Sequence, residues 1–174
     1  INCKTTAVRI IPAPGKGVGD RVEIGTMSDS GELRSLFEDL IARGAENIDL
    51  VSPTPYALVI REALEKPLPV PVVWNTGGYE RLETLRALEG KVQVWLPDLK
   101  YADSDLAAKY SDAPDYFEVA TAAILEMHRQ VGDYVIEDGL LKKGVVIRHL
   151  ILPGFVDNSL GVLDWVADHF EPGQ

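Results

Sequence analysis

Apolar residues recur along the chain at two spacings, and the alternation between them predicts its elements. Leu33, Leu36, Phe37, Leu40 and Ile41 follow the i, i+3, i+4, i+7, i+8 stripe of an amphipathic helix, with Ser30 placed to cap it and Gly44 to stop it. Asn47 to Val51 reads as a strand, after which Thr54 caps and Pro55 opens a helix to about Lys66. A strand over Val70 to Trp74 leads through Asn75-Thr76-Gly77-Gly78 into a helix carrying Leu82, Leu85 and Leu88. Val92 to Leu96 is the next strand, followed by Pro97-Asp98-Leu99-Lys100 and a long polar loop. Pro114 opens a helix to about Val131, and Glu137-Asp138-Gly139 signals a turn. The strand Val145 to Leu152 stops at Pro153-Gly154, and Leu160 to Phe170 makes the last helix.

Four strands, each followed by a helix, imply parallel strands with right-handed crossovers, either as an open doubly wound sheet or as a barrel segment. In both architectures ligands meet the loops that leave the C-terminal ends of the strands. The first 25 residues break this rhythm. Thr5 to Ile11 reads as a strand, Pro12 to Asp20 as a Pro/Gly-rich turn, and Arg21 to Ile24 as a returning hairpin arm. The expected division is therefore residues 1–25 as an atypical N-terminal segment and 26–174 as the main domain.

Composition narrows the partners. A formal charge of -10 argues against nucleic acid, whose phosphates are bound chiefly by Lys and Arg, and against an anionic membrane surface. No apolar run approaches the roughly 20 residues of a membrane span, and Ile1-Asn2-Cys3-Lys4 has no signal-peptide layout. A cytoplasmic location is expected. Cys3 is the single cysteine, so there is neither a disulfide framework nor a CxxC metal site. Three scattered histidines, His128, His149 and His169, form no metal set, and no metal ligand is assigned.

Candidate chemistry lies at the strand ends. The run from Gly15 to Gly19 fails the pattern of a phosphate loop and reads as a hairpin turn. Gly77-Gly78, directly after a strand, allows close approach of a ligand to the backbone and aims the next helix at an anion, or else simply makes a tight turn. Asp98 and Lys100 are alternate residues of an extended segment, so they point the same way. They fit the two charged ends of an amino-acid-like ligand, and equally a solvated salt bridge. One of Arg148 and His149 faces the ligand side of its strand.

Taken together, the segments Asn47 to Thr54, Val73 to Glu80, Leu96 to Tyr101 and Ile147 to Gly154 resemble successive strand ends of radical S-adenosylmethionine proteins similar to pyruvate formate-lyase activating enzyme. The resemblance implies an α/β fold, a partial (βα) barrel of parallel strands, incomplete here at both ends. It implies a 4Fe-4S cluster that cleaves S-adenosylmethionine to a radical, which takes a hydrogen atom from the glycine of a partner protein. It places Ser52 and Thr54 at the methionine amino group, Asn75 and Thr76 at the next ligand-facing turn, and Asp98, Lys100 and Arg148 along the cofactor pocket.

The three cysteines that would hold the cluster are absent from this chain. Residues 1–25 instead look similar to a stretch of an unrelated bacterial family. The chain is thus expected to be a composite or fragment of a longer radical enzyme, inactive as it stands, in preference to a degenerate barrel. The alternatives are a non-catalytic barrel that binds S-adenosylmethionine or a partner protein, and an α/β enzyme acting on a phosphorylated substrate at Gly77-Gly78. An incomplete barrel exposes strand edges, so association with another copy is also expected.

Overall fold

The first helix, α1 (Ser30–Ala42), begins one residue earlier than its hydroxyl signal suggests, because Asp29 is the cap. Its carboxylate accepts from the Gly31 and Glu32 amides at 2.8 and 2.9 Å. Leu33, Phe37 and Leu40 are fully buried along the expected stripe, and Gly44 leaves the helix with φ of 95°. The computed structural model describes residues 7–9, 21–23 and 29–171 of the 174. Cys3, the expected turn over Pro12 to Asp20 with its Gly15–Gly19 run, and the expected division at residue 25 lie outside the described residues.

The remaining strands are β1 (Ala7–Arg9), β2 (Arg21–Glu23), β3 (Ile48–Val51), β4 (Val72–Thr76), β5 (Val94–Pro97), β6 (Val135–Glu137) and β7 (Leu140–Val145). The helices after α1 are α2 (Ala57–Ala63), α3 (Leu82–Ala87), α4 (Ser104–Ser111), α5 (Tyr116–Val131) and α6 (Val156–His169). The strands form one mixed sheet in the order β2-β1-β3-β4-β5-β7-β6. β3, β4, β5 and β7 are parallel neighbours, and β1, β2 and β6 pair antiparallel at the margins. The α/β class holds, whereas the described strands do not make the parallel barrel that the resemblance implied.

Three expectations shift. Thr54 does not cap a helix: the chain makes a 3-10 turn over Thr54–Tyr56 before α2, since the Thr54 hydroxyl is bonded elsewhere. The polar loop after Lys100 contains α4, capped by Asp103, whose carboxylate accepts from the Asp105 and Leu106 amides. The last parallel strand is β7, reached through a hairpin, and not Val145 to Leu152. Asp138 and Gly139, with φ of 52° and 77°, make the turn of that hairpin. Beyond Val145 the chain continues beside β5 through a single parallel bridge, Arg148 to Asp98.

One face of the sheet carries the main core. Ile48, Leu50, Val72 and Trp74 pack there with Leu33, Phe37 and Leu40 of α1, and the Trp74 and Trp95 rings stand 6.0 Å apart. A second cluster joins Leu99, Tyr101, Leu106, Tyr116, Ile124 and Val162 beneath α4, α5 and α6. Among the described residues no helix is long and apolar enough to cross a membrane.

Candidate functional site

Side chains alternate between the faces of a strand, and this sorts the strand-end residues into two groups. Trp74 faces the helices, so Thr76 does too, while Asn75 faces the other way. Asn75, Asp98, Lys100 and Arg148 make the first group. Arg148 donates to the Asn75 Oδ1 at 2.8 Å and meets Asp98 Oδ1 at 2.7 Å. Lys100 Nζ meets the other oxygen, Asp98 Oδ2, at 2.5 Å and lies 3.4 Å from the Gly77 carbonyl. Asp98 therefore engages a cation with each oxygen and holds the two in place.

The cluster carries two positive charges and one negative, in a chain whose total is -10. Its side chains are accessible: Asp98 is 22% exposed and Arg148 43%. Backbone pairing sets the spacing, since Arg148 N–H donates to the Pro97 carbonyl at 2.9 Å and Leu99 N–H to the Arg148 carbonyl at 2.8 Å. The alternation also separates Arg148 from its neighbour. His149 turns towards α6, with Nδ1 2.7 Å from the Leu99 carbonyl and Nε2 2.9 Å from the Ser159 hydroxyl. A carbonyl can only accept, so Nδ1 donates to Leu99.

The second group is Thr54, Thr76 and Glu80. Both hydroxyls donate to Glu80 Oε1, from Thr54 at 2.5 Å and from Thr76. Glu80 is only 3% exposed, and burial raises its carboxyl above the ordinary range while the hydroxyl hydrogen bonds oppose that shift. Its Oε2 forms no regular hydrogen bond, although the Trp74 indole is near enough to favour the ionised form. Ser52 joins the two loops through its backbone, donating N–H to the Asn75 carbonyl at 2.8 Å with φ of 52°.

Gly77-Gly78 lies between the groups. A Cβ on Gly78 would stand 2.1 Å from the Asp98 carbonyl oxygen, at φ of 84°, so this position requires glycine. Gly78 N–H points to the Thr76 hydroxyl at 3.4 Å, and Gly77 presents its carbonyl to Lys100 and to the Tyr116 hydroxyl, the latter at 2.8 Å. Burial pushes the Tyr116 hydroxyl above the usual tyrosine range, so it keeps its one proton, which the Gly77 and Asp98 carbonyls share at 2.8 Å each. α3, which follows only at Leu82, is too short to supply a helix-end site.

The sequence reading placed no role on Glu80 or Tyr116. Glu80 closes the segment Val73 to Glu80 and Tyr116 lies outside every segment singled out, and only the folded turn reveals that both act on it.

Comparison with known proteins gives short or partial matches. The chain is similar to the uncharacterized protein MJ0674 of Methanocaldococcus jannaschii, 30% identical over 116 residues, which is 65% of this chain and 30% of that protein. It is also similar to UPF0210 proteins. That of Ruminiclostridium cellulolyticum is 71% identical over 31 residues, 18% of this chain and 7% of the relative. That of Methanosarcina mazei is 70% identical over 48 residues, 25% of this chain and 11% of the relative. The chain spans less than a third of the length of each of these relatives. No family model matches it, and no solved structure does.

These findings correct the family reading. The relatives are named UPF0210 proteins and MJ0674, and nothing in them indicates a radical S-adenosylmethionine or activating-enzyme family. The expected radical oxidoreductase activity, and its alternative as a non-catalytic barrel, are accordingly withdrawn. The sequence already lacks the donors for an iron-sulfur cluster. One cysteine cannot supply three thiolates, and no three His, Cys, Asp or Glu side chains gather into a metal-holding group among the described residues.

Proposed function

We propose that the C-terminal margin of the parallel strands is a binding site for a small molecule bearing a carboxylate, held by Arg148 and Lys100. The observation that carries this reading is the double engagement of Asp98. One carboxylate fixes two cations from different strand ends, at 2.7 and 2.5 Å, leaving a net positive charge at an accessible place in an acidic protein. A guanidinium has five N–H donors and an ammonium three. Those used on Asn75, Asp98 and Gly77 leave others for a ligand.

Asn75 belongs to the same site as the acceptor that orients Arg148, while Ser52, Thr54 and Thr76 support it from the neighbouring loops. The position agrees with the general rule that ligands of open α/β sheets meet the carboxyl ends of parallel strands. Calorimetric titration with acetate, glycine and S-adenosylmethionine, all carboxylates, tests the proposal. Saturable binding that weakens about tenfold in Arg148→Gln supports it. Equal heats from the wild type and the variant contradict it.

A further inference from the structure

Glu80 stands on the opposite face of the sheet from the cation cluster, yet a chain of hydrogen bonds runs from one to the other. Its Oε1 takes the proton of the Thr76 hydroxyl. With that proton committed, the Thr76 oxygen turns a lone pair towards the Gly78 N–H, 3.4 Å away. The Gly78 carbonyl in turn accepts the Glu80 N–H at 3.0 Å, so the turn is gripped at both ends of one residue. Gly77, immediately before it, holds Lys100 Nζ at 3.4 Å through its carbonyl. The Tyr116 hydroxyl lies 2.8 Å from both this carbonyl and that of Asp98, and its oxygen receives the Lys100 N–H at 3.1 Å. Beside its ion pair with Asp98, Lys100 thus meets the turn at Nζ and, through Tyr116 of α5, at its backbone N–H.

We infer that Glu80 is a positioning residue of the anion site: acting through Thr76, it fixes the Gly77-Gly78 turn and thereby the place of the Lys100 ammonium. The ligand half of this inference rests on the functional proposal above, and the structural half does not. A buried carboxylate is costly unless its hydrogen bonds repay it. The two hydroxyl bonds and the backbone grip give a reason for an acid here, at a position that an apolar side chain would otherwise occupy. The same oxygen also receives Thr54, so the loop after β3 is held to the loop after β4 by one atom.

The test uses the full chain labelled for NMR, with acetate as the probe, in wild type, Glu80→Ala, Glu80→Gln and Thr76→Val. Glutamine keeps an acceptor oxygen for both hydroxyls and alanine keeps none. Expected are displaced Lys100 amide and ammonium resonances in Glu80→Ala and Thr76→Val, acetate affinity lower by about tenfold in both, and recovery of both readouts in Glu80→Gln. Unchanged Lys100 resonances in either folded variant overturn the inference, as does a glutamine variant no better than alanine. Should Glu80→Ala fail to fold, Thr76→Val decides. Should wild type bind no carboxylate, the functional proposal falls, and the ligand-free Lys100 resonances still decide the role of Glu80.

Discussion

Arg148 and Asp98 are joined twice, by a parallel backbone bridge and by a side-chain ion pair of 2.7 Å. The bridge brings the two Cα atoms to a fixed spacing, so the ion pair costs less side-chain entropy than two free surface residues would lose. Asp98→Ala removes the anchor of both Arg148 and Lys100. The pair is partly exposed and screened, so the expected loss of stability is modest, about 1 kcal/mol, read from urea denaturation. A loss no larger than that of a solvent-exposed control substitution would show that the pair does not act as an anchor.

Gly78 touches the same segment from the next strand end. An added methyl group would meet the Asp98 carbonyl at 2.1 Å and the Tyr116 hydroxyl at 3.2 Å, in a backbone conformation that alanine adopts poorly. Gly78→Ala is expected to cost about 3 kcal/mol of stability. Gly90→Ala is the comparison, because it shares the positive φ and has nothing within 4 Å. If the two variants lose equal stability, the close approach to Asp98 is not what requires glycine.

The pH dependence of folding separates two buried acids. Glu80 has its carboxyl raised above 4.5 by burial, so the folded state holds its proton more tightly than the unfolded chain does. Its contribution to stability is complete below the unfolded value and is lost as pH rises through the folded one. Denaturation midpoints followed from about pH 4 to about pH 8 should therefore fall more steeply in wild type than in Glu80→Gln. Parallel curves would show that Glu80 is not desolvated.

Glu126 behaves in the opposite sense. Arg129 binds it at 2.8 and 3.0 Å, Gln130 donates at 3.0 Å and Arg86 lies 3.9 Å away. The Arg129 hydrogen bonds are the largest cause holding its carboxyl down to about 2. Stability from this group is present above the unfolded value of 4.5 and is lost as pH falls through about 2. Glu126→Gln should be less stable than wild type at neutral pH and should converge with it in acid. A difference that persists unchanged at low pH would assign the effect to packing.

Most of the fold was legible because its signals are local. The stripe from Leu33 to Ile41, the apolar runs of β3, β4 and β5, and the turn at Asp138-Gly139 need no long-range information. Where the reading slipped, a tertiary contact decided. β7 was hidden because Lys142 and Lys143 interrupt its apolar pattern, and Gly144 is required there by the Tyr134 backbone, which an added Cβ would meet at 2.9 Å. Val145-Val146-Ile147 looks like a strand centre, yet regular pairing ends at Val145. The site was legible as a set of strand-end residues, and alternation puts Thr76 and Asn75 on different faces, but it could not reveal which tertiary partners each face meets. Nor could it reveal that the Thr54 hydroxyl leaves its helix to bind Glu80.

Acetate titration of the full chain followed by NMR, with Arg148→Gln and Lys100→Gln beside wild type, tests the central claim most directly. The site reading predicts saturable shifts centred on Asn75, Gly77, Lys100 and Arg148, weakened in each variant and at raised salt. Shifts spread evenly over the surface, or centred away from these residues, would contradict it.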